Sequence, residues 1–296
     1  MTDQVMQGRV ALVTGSSRGI GRAVAQRLAA AGATVAVHAR SAGATPAARG
    51  GAQVVVPGTV GETVDLIESA AGKAFAVTAD LSVPSERAGL VDRVIAEAGR
   101  IDILVNNAGF ADYSTVEEMS PETFDSTLDQ YLRTPFVLAQ KVIPHMAARG
   151  DGWIVNIGSV TAVDMVRPFR DYNKTGGDVV YASAKAALHR FTQGLAAELV
   201  DRGIAVNAVG PSTAIRTPGA DALIPSEFPA EPVEYLAETV LAMCHLPAAD
   251  RTGLVTFSLH YPWSSGLPVH TLDGVGVLPP LAPPEWANPN IKAGGV

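Results

Sequence analysis

A phenol and an ammonium stand four residues apart in the sequence, at Tyr181 and Lys185. If the segment is helical, positions four apart share a face, so the lysine charge reaches the neighbourhood of the tyrosine hydroxyl. A nearby cation favours the phenolate and lowers a pKa that is about 10 in water. Such a tyrosine can exchange a proton with an alcohol or a ketone near neutral pH. Taken alone the spacing is a weak signal, because it arises often by chance on exposed helices.

A glycine-rich stretch at residues 14–21 has the spacing of a dinucleotide-binding turn. It lies between an apolar run, 9–14, and a helical pattern that starts at residue 22, and a second apolar run, 34–38, completes a strand–helix–strand unit. Glycines at such a point let a pyrophosphate approach a helix N-terminus. The alternative is a tight turn whose glycines serve only packing, which the clustering of three glycines disfavours. The cofactor contacts predicted in this turn are Gly15, Ser17, Arg18, Gly19, Ile20 and Gly21.

Composition excludes several classes of protein. The 296 residues are 47% hydrophobic and 17% charged, which is enough apolar material for a buried sheet. The net charge of −7 is spread along the chain, so no basic patch for nucleic acid is expected. No run of eighteen apolar residues occurs, which predicts no membrane span, and the N-terminus lacks the apolar core of a signal peptide.

Cysteine and histidine usage argues against disulfides and metal. Cys244 is the only cysteine, so no intramolecular disulfide or cysteine-based metal site can form, which suits a reducing cytoplasm. The six histidines stand far apart without metal-ligand spacing, and we therefore predict no zinc site.

Strand and helix signals alternate from residue 9 to about residue 258, which predicts an α/β fold with a doubly wound parallel sheet. We expect one domain over residues 1–296, with its core at about 8–258. The stretch 41–61 is rich in glycine, alanine and proline and is interpreted as an insertion with a short extra strand at 53–57. The tail, 259–296, holds seven prolines and is expected to be irregular, either wrapped over the domain or mobile. Helices are expected at 62–71, from 84, at 121–149, 181–202 and 233–245, and later strands at 101–105, 153–157, 204–208 and 254–258.

Further motifs follow in order along the chain: Asp80-Leu81, then 106–109 with Asn107, Ala108 and Gly109, then Ser159, the Tyr181–Lys185 pair, and Asn207 with Pro211. With the glycine turn, this order resembles the short-chain dehydrogenase/reductase family over roughly residues 8–258. The resemblance implies a single Rossmann-type domain whose substrate loop and C-terminus close over a nicotinamide.

The resemblance also implies a role for each motif. Asp80 would contact the adenine, with Leu81 beside it, and Asn106 to Gly109 and Pro211 would lie along the cofactor. Ser159 would bind the substrate oxygen, and Tyr181 would act as acid in reduction and base in oxidation. Lys185 would bind the nicotinamide ribose and lower the tyrosine pKa. Charge develops on the oxygen when a carbonyl is reduced, so two hydroxyl donors aimed at it stabilise the transition state.

Three features depart from the family pattern. Tyr131 stands where the family has a catalytic asparagine, whose main-chain carbonyl helps to hold a water linked to the lysine. Ser159 and Tyr181 are 22 positions apart, farther than is usual in the family. The preferred interpretation of the extra segment, 163–177, is a solvated surface loop, and the alternative is a flap that contacts the substrate. The usual Pro-Gly is replaced by Pro211-Ser212.

The end of the second strand bears on the choice of cofactor. Family members that use NAD place a carboxylate there for the ribose hydroxyls. Here the strand ends in His38-Ala39-Arg40, and Arg18 lies in the glycine turn. Two guanidiniums near one phosphate favour NADP(H), with NAD(H) second. The alternative is that Arg18 faces solvent and Arg40 only closes the strand.

The sequence thus predicts an NADP(H)-dependent oxidoreductase that interconverts a ketone and a secondary alcohol. The alternative is a non-catalytic NADP(H)-binding sensor or scaffold, which Tyr131 keeps open. The family implies a homodimer or homotetramer whose contacts lie on the helices 121–149 and 181–202. Alanines 182, 186 and 187 would allow close approach of a partner helix, or they could face the monomer's own sheet. A hydrophobic substrate is expected, and the candidate pocket residues are Phe110, Tyr113, Val160, Phe228, Tyr261 and Trp263.

Overall fold

Short apolar runs form the strands of a parallel sheet. The computed structural model describes residues 4–43, 46–49, 52–218, 224 and 226–295, with the backbone alone at 46–49 and 52–55. Seven strands form the sheet and two form a separate antiparallel hairpin. In chain order the strands are β1 (Val10–Val13), β2 (Thr34–Ala39), β3 (Pro46–Arg49), β4 (Ala52–Val55), β5 (Lys73–Thr78), β6 (Ile103–Asn106), β7 (Gly152–Ile157), β8 (Ile204–Gly210) and β9 (Val255–Phe257).

The strand order in the sheet is β5-β2-β1-β6-β7-β8-β9, and all its pairings are parallel. The order reverses between β1 and β6, where Ala11 pairs with Val35 on one side and with Ile103 on the other. In doubly wound sheets, ligands bind outside the carboxyl ends of the strands at such a reversal. The predicted fold class, a doubly wound Rossmann-type sheet, is confirmed.

Helices cover both faces of the sheet, and alternate residues of each strand point to opposite layers. On β1, Ala11 and Val13 pack toward α1, α2 and α8, whereas Val10 and Leu12 pack toward α3, α5 and α7. The helices are α1 (Gly19–Ala30), α2 (Val60–Ser69), α3 (Pro84–Ala98), α4 (Pro121–Leu128), α5 (Thr134–Arg149), α6 (Asp171–Thr175), α7 (Val179–Leu199), α8 (Val233–Ala242) and α9 (His260–Ser265).

The predicted helix at 121–149 is not continuous. A π-helical turn, Asp129–Arg133, separates α4 from α5. Arg87 of α3 braces this turn, because its buried guanidinium donates to the Asp129 carboxylate at 2.6 Å, to the Thr134 hydroxyl at 3.2 Å and to the Leu81 carbonyl at 2.9 Å. π-helical turns occur often at functional sites, and this one brings Tyr131 into the cleft described below.

The insertion at 41–61 contains the predicted extra strand, since β4 covers most of 53–57 and pairs with β3. Its residues 44–45 and 50–51 lie outside the described part. The tail wraps the domain: Ile291 is buried against Ala208, Val255 and Phe257. It is also less irregular than expected, because α9 forms with Pro262 in its first turn, where a missing N–H breaks no helical hydrogen bond.

A buried ion pair ties the tail to the helices behind the sheet. Arg27 of α1 and Glu238 of α8 form two hydrogen bonds of 2.7 and 3.1 Å, and the backbone N–H of His270 donates to the same carboxylate at 3.0 Å. The tail is therefore held against the domain at two points, near residue 270 and near residue 291. In the described part of the chain, no helix has the length and apolar character needed to cross a membrane.

Candidate active site

A cleft of about 1160 Å³ opens at the carboxyl ends of β1, β2, β6 and β7, at the reversal of strand order. Its volume exceeds the range of about 300–1,000 Å³ that is typical of drug-sized ligands, which leaves room for a dinucleotide beside a substrate. With the exception of Asn106, every cofactor contact and catalytic candidate of the sequence analysis lines this cleft, from Gly15 in the glycine turn to Pro211 after β8. Asn106 lies behind it, buried, with its amide donating to Asn156 at 2.8 Å.

The glycine turn packs directly against the end of β6. A Cβ built on Gly15, whose φ is +65°, would lie 2.8 Å from the Cα of Ala108. The Thr14 hydroxyl accepts from the backbone N–H groups of Asn107 and Ala108 at 3.0 Å each, and the Asn107 amide donates to the Thr14 carbonyl at 2.8 Å. Only glycine fits this approach, so a larger residue at Gly15 would separate the two loops.

His38 holds the same turn from β2, a role that sequence reasoning missed. Its Nδ1 accepts the Gly15 N–H at 3.1 Å, so Nε2 carries the proton and donates to the Ala79 carbonyl, also at 3.1 Å. Burial lowers the pKa of His38 to about 4, which keeps this arrangement neutral at physiological pH. The signal in the sequence was a histidine inside an otherwise apolar strand.

The guanidiniums of Arg18 and Arg40 lie at one end of the cleft. Arg18 donates to the Val56 carbonyl, and burial, followed by the charges of Arg40 and Arg22, lowers the pKa of Arg18. Ala39, at the end of β2, offers no carboxylate there. Nearby, Asp80 accepts from the Ser82 N–H at 2.9 Å and from its hydroxyl at 2.7 Å. Burial raises the pKa of Asp80, but these two bonds together with nearby positive charge, chiefly that of Arg40, lower it overall.

Ser159, Tyr181 and Lys185 meet at the other end. Ser159 follows β7, and its hydroxyl lies close enough to the Tyr181 phenol to lower the pKa of that group. The Ser159 hydroxyl also shares a hydrogen bond with the Thr161 hydroxyl at 2.9 Å. Tyr181 and Lys185 lie one turn apart on α7, and the buried ammonium of Lys185 donates to the Ile157 carbonyl at 2.6 Å.

The expected lowering of the tyrosine pKa is not what this geometry produces. Burial, aided by the charge of Asp178, raises the pKa of Tyr181 to about 12, although the hydrogen bond with Ser159 opposes the shift. Burial also lowers the pKa of Lys185 to about 7. Desolvation therefore favours the neutral form of each group.

Tyr131 fills the space between the lysine and the β6 loop. Its ring lies 4.3 Å from Lys185 Nζ, measured to the ring centroid, and meets the Tyr181 ring edge to face at 5.1 Å. A Cβ on Gly109 would collide with the Tyr131 ring. The lysine is thus held by a carbonyl oxygen on one side and by an aromatic face on the other.

The segment 163–177 was expected to be a solvated surface loop or, second, a substrate-contacting flap. Most of its side chains are exposed, and Met165, Val166, Arg170, Tyr172 and Asn173 also line the cleft. Tyr172, on α6, reaches the start of α7, where its hydroxyl donates to the buried Asp178 carboxylate at 3.2 Å. Sequence reasoning missed both. The available signal was an acid three positions before Tyr181, at the start of the predicted helix.

The loop that follows Pro211 and the C-terminal tail form another wall of the cleft. The buried Glu231 accepts from the backbone N–H groups of Ser212 at 3.2 Å and Thr213 at 3.1 Å, and so fixes the loop that follows Pro211. Phe228 meets Trp286 of the tail edge to face at 5.1 Å. The loop residues 219–223 and 225 lie outside the described part. Four of the predicted pocket residues line the cleft: Phe110, Tyr113, Val160 and Phe228. The other two do not, because Tyr261 is buried in the core and Trp263 is 54% exposed on the surface.

Residues 9–225 match the family described as short chain dehydrogenase. The chain belongs to this family. A Thermotoga maritima protein described as an uncharacterized oxidoreductase is 36% identical over 70% of this chain and 72% of its own length. A solved structure of a putative NAD(P)-dependent gluconate 5-dehydrogenase from Beutenbergia cavernae, with bound NADP at low occupancy, superposes with a TM-score of 0.70 and 30% identity over 86% of this chain and 97% of that one.

A third relative binds the other nicotinamide. The structure of a 7α-hydroxysteroid dehydrogenase with NADH and 7-oxo glycochenodeoxycholic acid superposes with a TM-score of 0.72 and 27% identity, over 87% of this chain and 95% of that one. This short-chain dehydrogenase is therefore an oxidoreductase of a family that takes nicotinamide cofactors. Its own residues fit such a cofactor, because the glycine turn lines the cleft at the N-terminus of α1, where a pyrophosphate can bind, and the paired guanidiniums provide for phosphate.

Proposed function

We propose that this short-chain dehydrogenase is an NADP(H)-dependent oxidoreductase that interconverts a ketone and a secondary alcohol. One observation carries the proposal: the hydroxyls of Ser159 and Tyr181 stand beside each other on the cleft wall, and the buried Lys185 lies one helical turn from Tyr181. Two adjacent hydroxyl donors form the arrangement that stabilises charge developing on a carbonyl oxygen.

The residues divide the work of proton transfer. In reduction Tyr181 donates its proton to the carbonyl oxygen, and in alcohol oxidation it accepts the proton. Ser159 donates a hydrogen bond to the same oxygen, and the Ile157 carbonyl holds Lys185 in place. A nicotinamide bound beside them supplies the redox chemistry, while the protein supplies position and electrostatics. The raised pKa of Tyr181 keeps the phenol protonated, which suits a donor in ketone reduction.

The preference for NADP(H) rests on Arg18, Arg40 and Ala39. Two guanidiniums near the end of β2 favour a 2′-phosphate, and Ala39 lacks the carboxylate that would accept bonds from a free ribose hydroxyl. Asp80 and Leu81 line the part of the cleft proposed for the adenine, and Asn107, Ala108, Gly109 and Pro211 line the part between it and the hydroxyl pair. We propose one catalytic unit over residues 1–296, because the tail contributes to the cleft wall. A cytoplasmic location is proposed from the single cysteine, which suits a reducing compartment.

The test is a panel of hydrophobic ketones and secondary alcohols assayed with NADPH and NADH. We expect NADPH-linked ketone reduction with kcat/KM at least about tenfold above the NADH value, since one phosphate–guanidinium contact contributes this much or more. Absence of turnover on the whole panel, or turnover with NADH alone, would contradict the proposal.

A second candidate, a cofactor-binding protein without turnover, has one observation in its favour. The Tyr131 ring packs on Lys185 where the family has its asparagine, and it adds to the burial around Tyr181. Stoichiometric NADPH binding by calorimetry, combined with no turnover on the panel, would favour this candidate over the enzyme.

A further inference from the structure

Asp178 places a buried carboxylate in the substrate half of the cleft. It lines the cleft at the start of α7 and is 3% exposed. Within the described residues it forms no ion pair, and its side chain accepts one hydrogen bond, from the Tyr172 hydroxyl at 3.2 Å. An ionised carboxylate is costly to bury unless a cation pairs with it. A helix N-terminus favours an anion, but Asp178 makes no side-chain capping bond to α7.

Tyrosine rings surround this carboxylate. Four of the six tyrosines of the chain line the same cleft: Tyr113, Tyr131, Tyr172 and Tyr181. Tyr113 meets the Tyr181 ring edge to face at 5.3 Å, and Tyr131 meets it from another side at 5.1 Å. The rings of Tyr113 and Tyr172 stand on the side of Asp178, whereas Tyr131 already packs on Lys185.

Aromatic faces beside a carboxylate favour one kind of ligand group. Rings attract ammonium groups through their quadrupoles, and a buried carboxylate adds a full opposite charge. The other charged side chains that line this half do not supply the missing cation: Lys185 bonds to the Ile157 carbonyl, and Arg170 is exposed and bonds to the Trp286 carbonyl. Asp112, also on the cleft, adds a second negative charge.

We propose that the substrate carries a positively charged nitrogen, as a protonated or quaternary amine, which Asp178 and the rings of Tyr113 and Tyr172 bind while its carbonyl meets Ser159 and Tyr181. The proposal rests on the ketone–alcohol function above and names the substrate class, an amino ketone or amino alcohol. Asp178 is the N-cap residue of α7, three positions before Tyr181, and its charge acts on the Tyr181 phenol. The charge and the carbonyl are thus separated by only a few atoms.

The test uses two ketones of the same shape that differ in charge. In 1,1-dimethyl-4-oxopiperidinium the ring nitrogen is permanently cationic, and 4,4-dimethylcyclohexanone replaces it with carbon. Steady-state rates with NADPH are measured for the wild type, for Asp178→Asn and for Asp171→Asn. Asp171 is a matched control, because it lies on neighbouring α6 with a side chain that is 97% exposed.

We expect the wild type to favour the cationic ketone in kcat/KM by at least about tenfold, mainly through KM. Asp178→Asn should bring the ratio of the two kcat/KM values close to one, whereas Asp171→Asn should keep the wild-type ratio. Equal rates for both ketones in the wild type would overturn the proposal. So would an equal fall for both ketones in Asp178→Asn, because that result assigns Asp178 a structural role alone.

A binding measurement separates this inference from the proposed function. If neither ketone turns over, calorimetric titration with the oxopiperidinium, in the presence of NADPH, is carried out on the same three proteins. Binding by the wild type and by Asp171→Asn that is lost in Asp178→Asn would support the cation site although the activity had failed. No binding by the wild type would overturn the site itself.

Discussion

Burial drives the two ionisable groups at Tyr181 and Lys185 toward neutrality. The phenol pKa rises to about 12 and the ammonium pKa falls to about 7, because a charge on either group loses its hydration inside the cleft wall. Asp178 reinforces the shift at the tyrosine, and the hydrogen bond with Ser159 opposes it. The pair is therefore arranged to present a protonated phenol, the form that a reductase needs at its acid.

Tyr181→Phe tests that role directly. The ring and its edge contacts remain and only the transferable proton is lost, so kcat for ketone reduction should fall by about a hundredfold or more. The dissociation constant of NADPH, measured by fluorescence titration, should stay within about twofold of the wild type if the phenol acts chiefly in proton transfer. A variant that keeps most of its kcat would rule out Tyr181 as the acid.

Arg40→Asp tests the cofactor preference. The change removes one phosphate partner and sets a negative charge against a 2′-phosphate, so the NADPH-to-NADH ratio of kcat/KM should fall by at least about tenfold. Arg202→Asp is the control, since it makes the same change of charge on the exposed segment after α7. A ratio that moves no more in the first variant than in the second would remove Arg40 from the phosphate site.

At the scale of elements, the π-helical turn Asp129–Arg133 positions a residue type that is unusual for the family. Arg87 ties the turn to α3 through the Asp129 carboxylate, and Tyr131 projects from it onto Lys185. The Lys185 ammonium still has the Ile157 carbonyl as a partner. Tyrosine at position 131, where the family has asparagine, therefore leaves Lys185 a backbone carbonyl as a hydrogen-bond acceptor.

Tyr131→Asn separates the enzyme from the cofactor-binding protein. If a backbone oxygen serves the proton relay, the variant should show kcat equal to the wild type or raised by no more than about tenfold. Tyr131→Phe is the control, because it keeps the ring over Lys185. Rates are compared on one ketone with NADPH. An inactive wild type that becomes active as Tyr131→Asn would show that the tyrosine blocks the site, and would favour the sensor or scaffold.

The strands of the sheet could be predicted because buried parallel strands are continuous apolar runs, as in 153–157 and 204–208. The order of motifs likewise predicted which residues reach one cleft. The π turn could not be predicted, since its hydrogen bonds depend on the brace from Arg87. The contact of 163–177 with the cleft could not be predicted for a similar reason: its polar sequence suits solvent, and most of its side chains are exposed, but contacts such as that of Tyr172 with Asp178 hold part of it at the cleft.

At the scale of the whole molecule, the buried Glu238 carboxylate connects two helices to the C-terminal tail. Glu238 pairs with Arg27 and accepts the His270 N–H, so it connects α1, α8 and the tail that lines the cleft. Glu238→Ala would leave the Arg27 charge buried without a partner and should lower the free energy of unfolding by about 3 kcal/mol or more. Urea unfolding measures the loss. Glu234→Ala, on the same helix, is the control and should cost well under that amount; equal losses would contradict the argument.

The predicted contacts between subunits agree only in part with the exposure of the residues on α5 and α7. Ala182, proposed as a contact for a partner helix, is buried in the monomer, whereas Ala186 is exposed. Phe136 of α5 is 49% exposed and meets the Phe191 ring of α7 at 6.4 Å, which forms an apolar patch on the two predicted interface helices. Exposed apolar patches of this kind mark interfaces.

We therefore expect a homodimer or homotetramer in solution. Phe136→Asp should shift the species seen by light scattering toward the monomer, because association would bury the new charge without a partner. Val275→Asp is the control: it adds the same charge at a tail residue that is 82% exposed and should leave the assembly intact. A wild type found only as a 30.6 kDa species at micromolar concentration would contradict the expected association. An oligomer that Phe136→Asp leaves intact would place the interface away from α5, and the apolar patch would then need another partner.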